Sequence, residues 1–116
     1  KRLLEEISPL KIELLELALD KADPLHGPVR LERGKVELNG RVVVLVDDVV
    51  MSGRTLMHAA GHLLAFSPKR LTTVVLVERL HRAYPIRADI VGLTLATTLQ
   101  EHISVELGRK DTVYLT

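Results

Sequence analysis

The sequence predicts an α/β fold with a mainly parallel central sheet flanked by helices. Val42 to Val46 is a β-branched run that is apolar on both faces, the mark of a central strand covered by helices on both sides. Leu71 to Val77, "LTTVVLV", reads as a second such strand. Between them Leu56, Ala59, Ala60, Leu63 and Leu64 form one stripe at helical spacing. Strand, helix and strand within about thirty-five residues make a right-handed crossover unit.

Size and composition agree with this class. The 116 residues fit one domain, residues 1–116. A 47% hydrophobic and 27% charged content is that of a globular protein, and with three aromatics (two Tyr, one Phe) the core falls to Leu and Val. Sixteen basic against fifteen acidic residues leave a net charge of +1, so there is no global attraction to RNA or to an anionic membrane. The absence of cysteine excludes disulfides, zinc–thiolate sites and cysteine nucleophiles, and favours a cytoplasmic location. No apolar run approaches the ~20 residues of a membrane span.

Taken in order, "KRLLEEISPL" reads as the last turns of an amphipathic helix stopped by Ser8-Pro9. It lacks an initiator Met, and an N-terminally incomplete domain is expected. Leu10 to Leu19, bounded by Pro9 and by Asp20 to Pro24, reads as a strand. Asp23 to Arg33, with two prolines and a glycine, reads as an exposed loop. Lys35 to Leu38 is expected as a short strand turned by Asn39-Gly40, a hairpin signal. After Val42 to Val46, Ser52 or Gly53 opens a helix through Phe66, ended by Pro68. Leu71 to Val77 leads into the polar loop "ERLHRAYPIR", and Ala88 to Leu95, His102 to Leu107 and Thr112 to Leu115 read as further strands.

In parallel sheets ligands sit beyond the carboxyl ends of the strands. At that end "VVVLVDDVVMSGRTL" places Ser52-Gly53-Arg54-Thr55 where the strand becomes a helix. A helix N-terminus offers unpaired N–H groups, Gly53 permits close backbone approach, and Ser52 and Thr55 add hydroxyls: the set suits a phosphate monoester. It is not a Walker loop. Asp47 and Asp48 would repel a phosphate, so they face something else, either vicinal ribose hydroxyls or a divalent cation. Phosphate at one end and diol at the other describe a ribose 5-phosphate. His58 and His62 have the i, i+4 spacing of a zinc helix, but Ala59 stands where the catalytic Glu would be and no third ligand is evident.

"VVLVDDVVMSGRT" resembles the phosphoribosyl-diphosphate signature of the type I phosphoribosyltransferases: four apolar residues, two acids, a short step, then [ST]-G-x-T. "LVERLHRAYPIRADIVG" is similar to the corresponding region of the pyrimidine-operon regulator and uracil phosphoribosyltransferase branch, and the likeness runs from about Lys35 to the C-terminus. Leu10 to Asp20 looks like the family strand that precedes the flexible catalytic loop. The resemblance implies a Rossmann-like sheet and transfer of ribose 5-phosphate from phosphoribosyl diphosphate, with Mg2+, to a nucleobase. It assigns Asp47 and Asp48 to the ribose hydroxyls, and Val50, Met51, Ser52, Gly53, Arg54 and Thr55 to the 5-phosphate. Arg79, His81 and Arg82 would reach the diphosphate or the base, and Ile90 and Val91 would lie near the base. Mg2+ would enter with the diphosphate, with Asp47 or Asp48 in reach, and a homodimer is implied. The plain alternatives are solvated loop charges for Arg79 and Arg82 and strand core for Ile90.

Departures from the pattern shape the expected substrate. Many purine-specific relatives carry an acid where Met51 stands, which favours a pyrimidine such as uracil, and Ile90 offers no aromatic face. "LTLATTLQEH" is nearly uncharged where the operon regulators are basic, so an RNA partner is not expected. The family's diphosphate loop lies N-terminal to the residues shown. The alternatives are a nucleotide-sensing regulator of the same fold with weak or no catalysis, and a degenerate nucleotide-binding domain.

Overall fold

The structure, a computed structural model, describes residues 1–19, 30–32, 37–96 and 101–116. Its elements are α1 (Arg2–Ile7), β1 (Glu16–Ala18), β2 (Arg30–Glu32), β3 (Val42–Val50), α2 (Arg54–Leu64), β4 (Arg70–Arg79), β5 (Ile90–Leu95), β6 (Ile103–Glu106) and β7 (Thr112–Leu115). The centre is a parallel sheet in the order β3-β4-β5, with α2 connecting its first two strands. No helix among the described residues is long and apolar enough to cross a membrane.

β4 is the central strand, and β3, expected there, lies at the edge of this three-stranded sheet. α2 covers one face only. Leu56 inserts with Val50 and Val75 into the core, and Leu45, Ile86, Ala88 and Val91 pack around them. On the opposite face Val42, Val44 and Val46 are exposed, as are Leu76 and Ile90. An apolar β-branched run satisfies strand preference whether or not its second face is covered. Burying Leu56, 2% exposed, contributes about 1.5–3 kcal/mol.

α2 ends at Leu64 rather than Phe66. Its last carbonyls close short turns through Ala65, Phe66 and Ser67, and Ser67 takes a left-handed φ of 52° before Pro68. On the expected stripe Leu56, Ala59 and Leu63 are buried, while Leu64 is exposed.

Asn39-Gly40 does turn the chain: Arg41 N–H donates to Leu38 O at 3.0 Å, with Gly40 at φ 70°. It makes no hairpin, because the strand it feeds pairs in parallel with β4. Gly40 N–H instead donates to Ser67 O and Lys69 N–H to Arg41 O, which ties the starts of β3 and β4 together. Glu37 and Leu38 are not in a strand, and Lys35 and Val36 lie outside the described residues.

The Leu10 to Leu19 strand shrinks to Glu16–Ala18, the residues that find an antiparallel partner in Arg30–Glu32. Alternation alone does not hold a strand without a ladder. β2 also occupies part of the expected Asp23 to Arg33 loop, the remainder of which lies outside the described residues. β5 starts two residues later than expected, at Ile90. β6 and β7 form an antiparallel pair of their own instead of extending the parallel sheet, closed by Gly108 N–H donating to Asp111 Oδ1 at 2.9 Å.

Candidate functional site

β3 runs on past Val46 through both aspartates to Val50, pairing Asp47 with Val75, Val49 with Val77 and Val50 with Glu78. Successive side chains on a strand point to opposite faces. Asp47 is therefore half-buried on the face that α2 covers, and Asp48 is exposed on the other. Each carboxylate is fixed by the next residue's amide: Asp48 N–H donates to Asp47 Oδ1 at 2.9 Å and Val49 N–H to Asp48 Oδ1 at 2.8 Å. An ionised carboxylate has acceptor sites on both oxygens, so one such bond orients Asp48 and leaves it able to accept from a diol.

The three residues Met51 to Gly53 turn the chain from β3 into α2. Gly53 is the N-cap at φ 84°, a left-handed conformation that costs other residues about 1–2 kcal/mol. A Cβ at Gly53 would stand 2.8 Å from Ile86 Cγ2, so glycine is required for space as well as for φ. Ser52 Oγ accepts from Arg54 N–H at 3.2 Å, and the first helical bond follows from Met57 N–H to Gly53 O at 3.0 Å. The Thr55 and Leu56 amides precede that bond, as the orphan donors of a helix N-terminus do. Residues Asp47 to Leu56 without a gap line one cavity of about 240 Å³. The two acids, Val50, Met51, Ser52, Gly53, Arg54 and Thr55 are thus brought together.

The next connection, Leu80 to Asp89, packs against this turn. Ser52 O accepts from both Ala83 N–H and Tyr84 N–H at 3.0 Å. Glu78, at the end of β4, receives Arg82 Nη1 at 2.7 Å and Ala88 N–H at 3.3 Å on the same Oε1. Asp89 Oδ2 accepts from Thr73 N–H at 2.8 Å and from Thr73 Oγ1 at 3.2 Å, and Asp89 N–H donates back to Thr73 O at 3.0 Å.

The expected base and diphosphate residues are placed differently from one another. Arg79 is buried at the end of β4, and Arg82, its side chain 12% exposed, is paired with Glu78; neither is a solvated loop charge. His81 is exposed. Ile90 and Val91 are level with Val74 and Val75, well back from the strand ends, and do not line the cavity. Ile90 lies on the open face, 56% exposed, and is not strand core, whereas Val91 packs on the core.

A larger concavity of about 460 Å³ lies along α2, lined by Arg54, Met57, His58, Gly61, His62 and Tyr84. His62 stacks edge-on against Phe66 at 5.5 Å. No group of three or more His, Asp or Glu side chains among the described residues could hold a metal ion. Sequence reasoning places Glu78 to Arg82 at the carboxyl end of a strand without giving Glu78 a role, and it misses Thr73, Tyr84 and Ile86. The one available signal was the four-residue interval from Glu78 to Arg82, which carries meaning on a helix but lies here on a strand end and a loop.

The sequence pattern of the phosphoribosyl transferase domain matches residues 2–110. The bifunctional protein PyrR of Streptomyces coelicolor is 40% identical over 115 residues, covering 93% of this chain and 60% of that protein. The bifunctional protein PyrR of Haemophilus ducreyi is 39% identical over 99 residues, covering 84% and 54%. The chain spans between half and two thirds of the length of these curated relatives. Among solved structures, the hypoxanthine phosphoribosyltransferase of Trypanosoma cruzi complexed with the product IMP matches with a TM-score of 0.70 at 20% identity, covering 83% of this chain and 46% of that one. At that identity the likeness carries the fold alone.

Proposed function

The chain belongs to the phosphoribosyl transferase domain family, and from that premise we propose that it transfers ribose 5-phosphate from phosphoribosyl diphosphate to a nucleobase, with a pyrimidine such as uracil favoured. The observation that carries this reading is the single cavity lined by Asp47 to Leu56, with carboxylates at one end and the amides of a strand-to-helix turn at the other.

In this reading the turn from Val50 to Thr55 holds the 5-phosphate through main-chain N–H groups and the Ser52 and Thr55 hydroxyls. Asp47 and Asp48, oriented by the amides that follow them, hold the ribose hydroxyls. As the C1–O bond to the diphosphate breaks, positive charge grows on the ribose ring, and these carboxylates stabilise it electrostatically. Met51, half-buried in the turn, neither gives nor takes a proton, which suits a base that needs no proton handling at that point. Asp47 or Asp48 would hold a Mg2+ ion that enters with the diphosphate, since carboxylate oxygens suit a hard cation. Bound Mg2+ would supply neutralisation of the departing diphosphate. The same reading places the protein in the cytoplasm as a dimer.

Calorimetric titration of phosphoribosyl diphosphate with Mg2+ into the full-length protein tests the assignment. Asp48→Asn should weaken binding by about tenfold or more, the scale of a hydrogen bond to a charged group. Equal affinity would remove the acid pair from the site. Turnover with uracil, orotate, guanine and hypoxanthine then assigns the base, and turnover of purines alone would reverse the pyrimidine assignment. A second reading, a nucleotide-sensing regulator with weak or no catalysis, is favoured by the likeness to relatives named bifunctional; tight binding without turnover of any base would select it.

A further inference from the structure

We propose that Glu78 and Arg82 are a positioning pair, which clamps the Leu80 to Asp89 connection onto the phosphate-holding turn, so that Arg82 shapes the site through Ser52 instead of touching substrate. The inference rests on the function proposed above.

Four observations carry it. First, Glu78 is level with Val50, the last strand residue before the turn, so the anchor stands beside the turn's first residue. Second, one oxygen, Glu78 Oε1, receives both Arg82 Nη1 at 2.7 Å and Ala88 N–H at 3.3 Å, which fastens two points of the connection six residues apart. Third, the segment between these points bears on the turn. Ala83 and Tyr84 N–H both donate to Ser52 O at 3.0 Å, and the Ile86 side chain occupies the space where a Cβ of Gly53 would stand. Fourth, the Arg82 and Glu78 side chains are 12% and 10% exposed, so the pair is withdrawn from water and a lone partner would be left poorly solvated.

The linkage has a chemical consequence. A carbonyl that accepts two amide bonds cannot rotate freely, and rotation of the Ser52–Gly53 peptide would redirect the Gly53 N–H that is meant to face phosphate. The clamp therefore sets the direction of an amide donor from a distance. Such preorganisation acts on ligand affinity without any new contact to the ligand.

The test is a double-mutant cycle on the full-length protein with Glu78→Gln, Arg82→Gln and the double variant. It is read in two ways: amide hydrogen exchange without ligand, and affinity for phosphoribosyl diphosphate with Mg2+. Each single variant should speed exchange at Ala83 and Tyr84 by about tenfold and weaken ligand binding to a similar degree, with the double variant no worse than the more affected single one, as expected for residues acting as one unit. Glu78→Asp and Arg82→Lys keep both charges and should recover part of both readouts; if the glutamine variants fail to fold, these two carry the same test. Unchanged exchange at Ala83 and Tyr84 in the Glu78 variants would overturn the proposal. So would an Arg82→Lys protein with native exchange but lost affinity, which would make Arg82 a ligand of the substrate. The exchange readout needs no ligand, so failure of the wild type to bind phosphoribosyl diphosphate would overturn the function and still leave exchange to decide the pair.

Discussion

Two connections leave the carboxyl end of the sheet, and they keep their shape by different means. The one after β3 is three residues, Met51 to Gly53, and is held locally by a left-handed glycine and a hydroxyl that caps the amide two residues on. The one after β4 runs ten residues, from Leu80 to Asp89, and is held by bonds to positions distant in sequence: Glu78, Ser52 and Thr73. Short connections store their conformation in residue type, whereas long ones depend on partners. The two touch at Ser52 and Gly53, where the long connection bonds to a carbonyl of the short turn, so each constrains the other.

Gly53→Val should have the largest effect, because it combines an unfavourable left-handed φ with the collision at Ile86. A loss of at least about 3 kcal/mol in chemical denaturation, with phosphoribosyl diphosphate binding abolished, is expected. A variant that kept both would mean the turn is not fixed by glycine. Asp89→Ala comes next. It removes the bonds to the Thr73 amide and hydroxyl, and unfolding should shift by about 1–3 kcal/mol, with Asp89→Asn milder because one acceptor remains. No shift would mean the far end of the long connection is held by something else. Ser52→Ala should be smallest, about 0.5–1 kcal/mol, since it deletes the hydroxyl that accepts from Arg54 N–H but leaves the carbonyl that receives Ala83 and Tyr84. A loss as large as that of Gly53→Val would shift the weight of the contact from the carbonyl to the hydroxyl.

The same contrast explains what could be read from the sequence. The turn was legible because its determinants are contiguous: two acids, an apolar pair, then Ser52 and Gly53 ahead of the apolar stripe of α2. The parallel sheet was legible from Val42 to Val46 and Leu71 to Val77 for a similar reason. The long connection was not, since Thr73 and Asp89 meet across sixteen residues that no periodicity marks. Arg82 read as a ligand or as a solvated charge, because nothing local announces a buried partner on the preceding strand. Side-chain type reports strand preference and not coverage: in β3 Val44 and Val46 are exposed while Leu45 packs on the core. Likewise the alternation at Leu10, Ile12 and Leu14 lies ahead of the three residues, Glu16–Ala18, that find a partner.

The central claim is that a sugar phosphate binds at the end of β3 with its phosphate on the α2 turn. An amide NMR titration of the full-length protein with ribose 5-phosphate addresses it most directly. The largest shifts should fall on Gly53, Arg54, Thr55 and Leu56, with smaller ones at Asp48 and Val49. Shifts centred instead on His58, Gly61 and His62 along the outer concavity of α2, or none at the turn under saturating ligand, would contradict it.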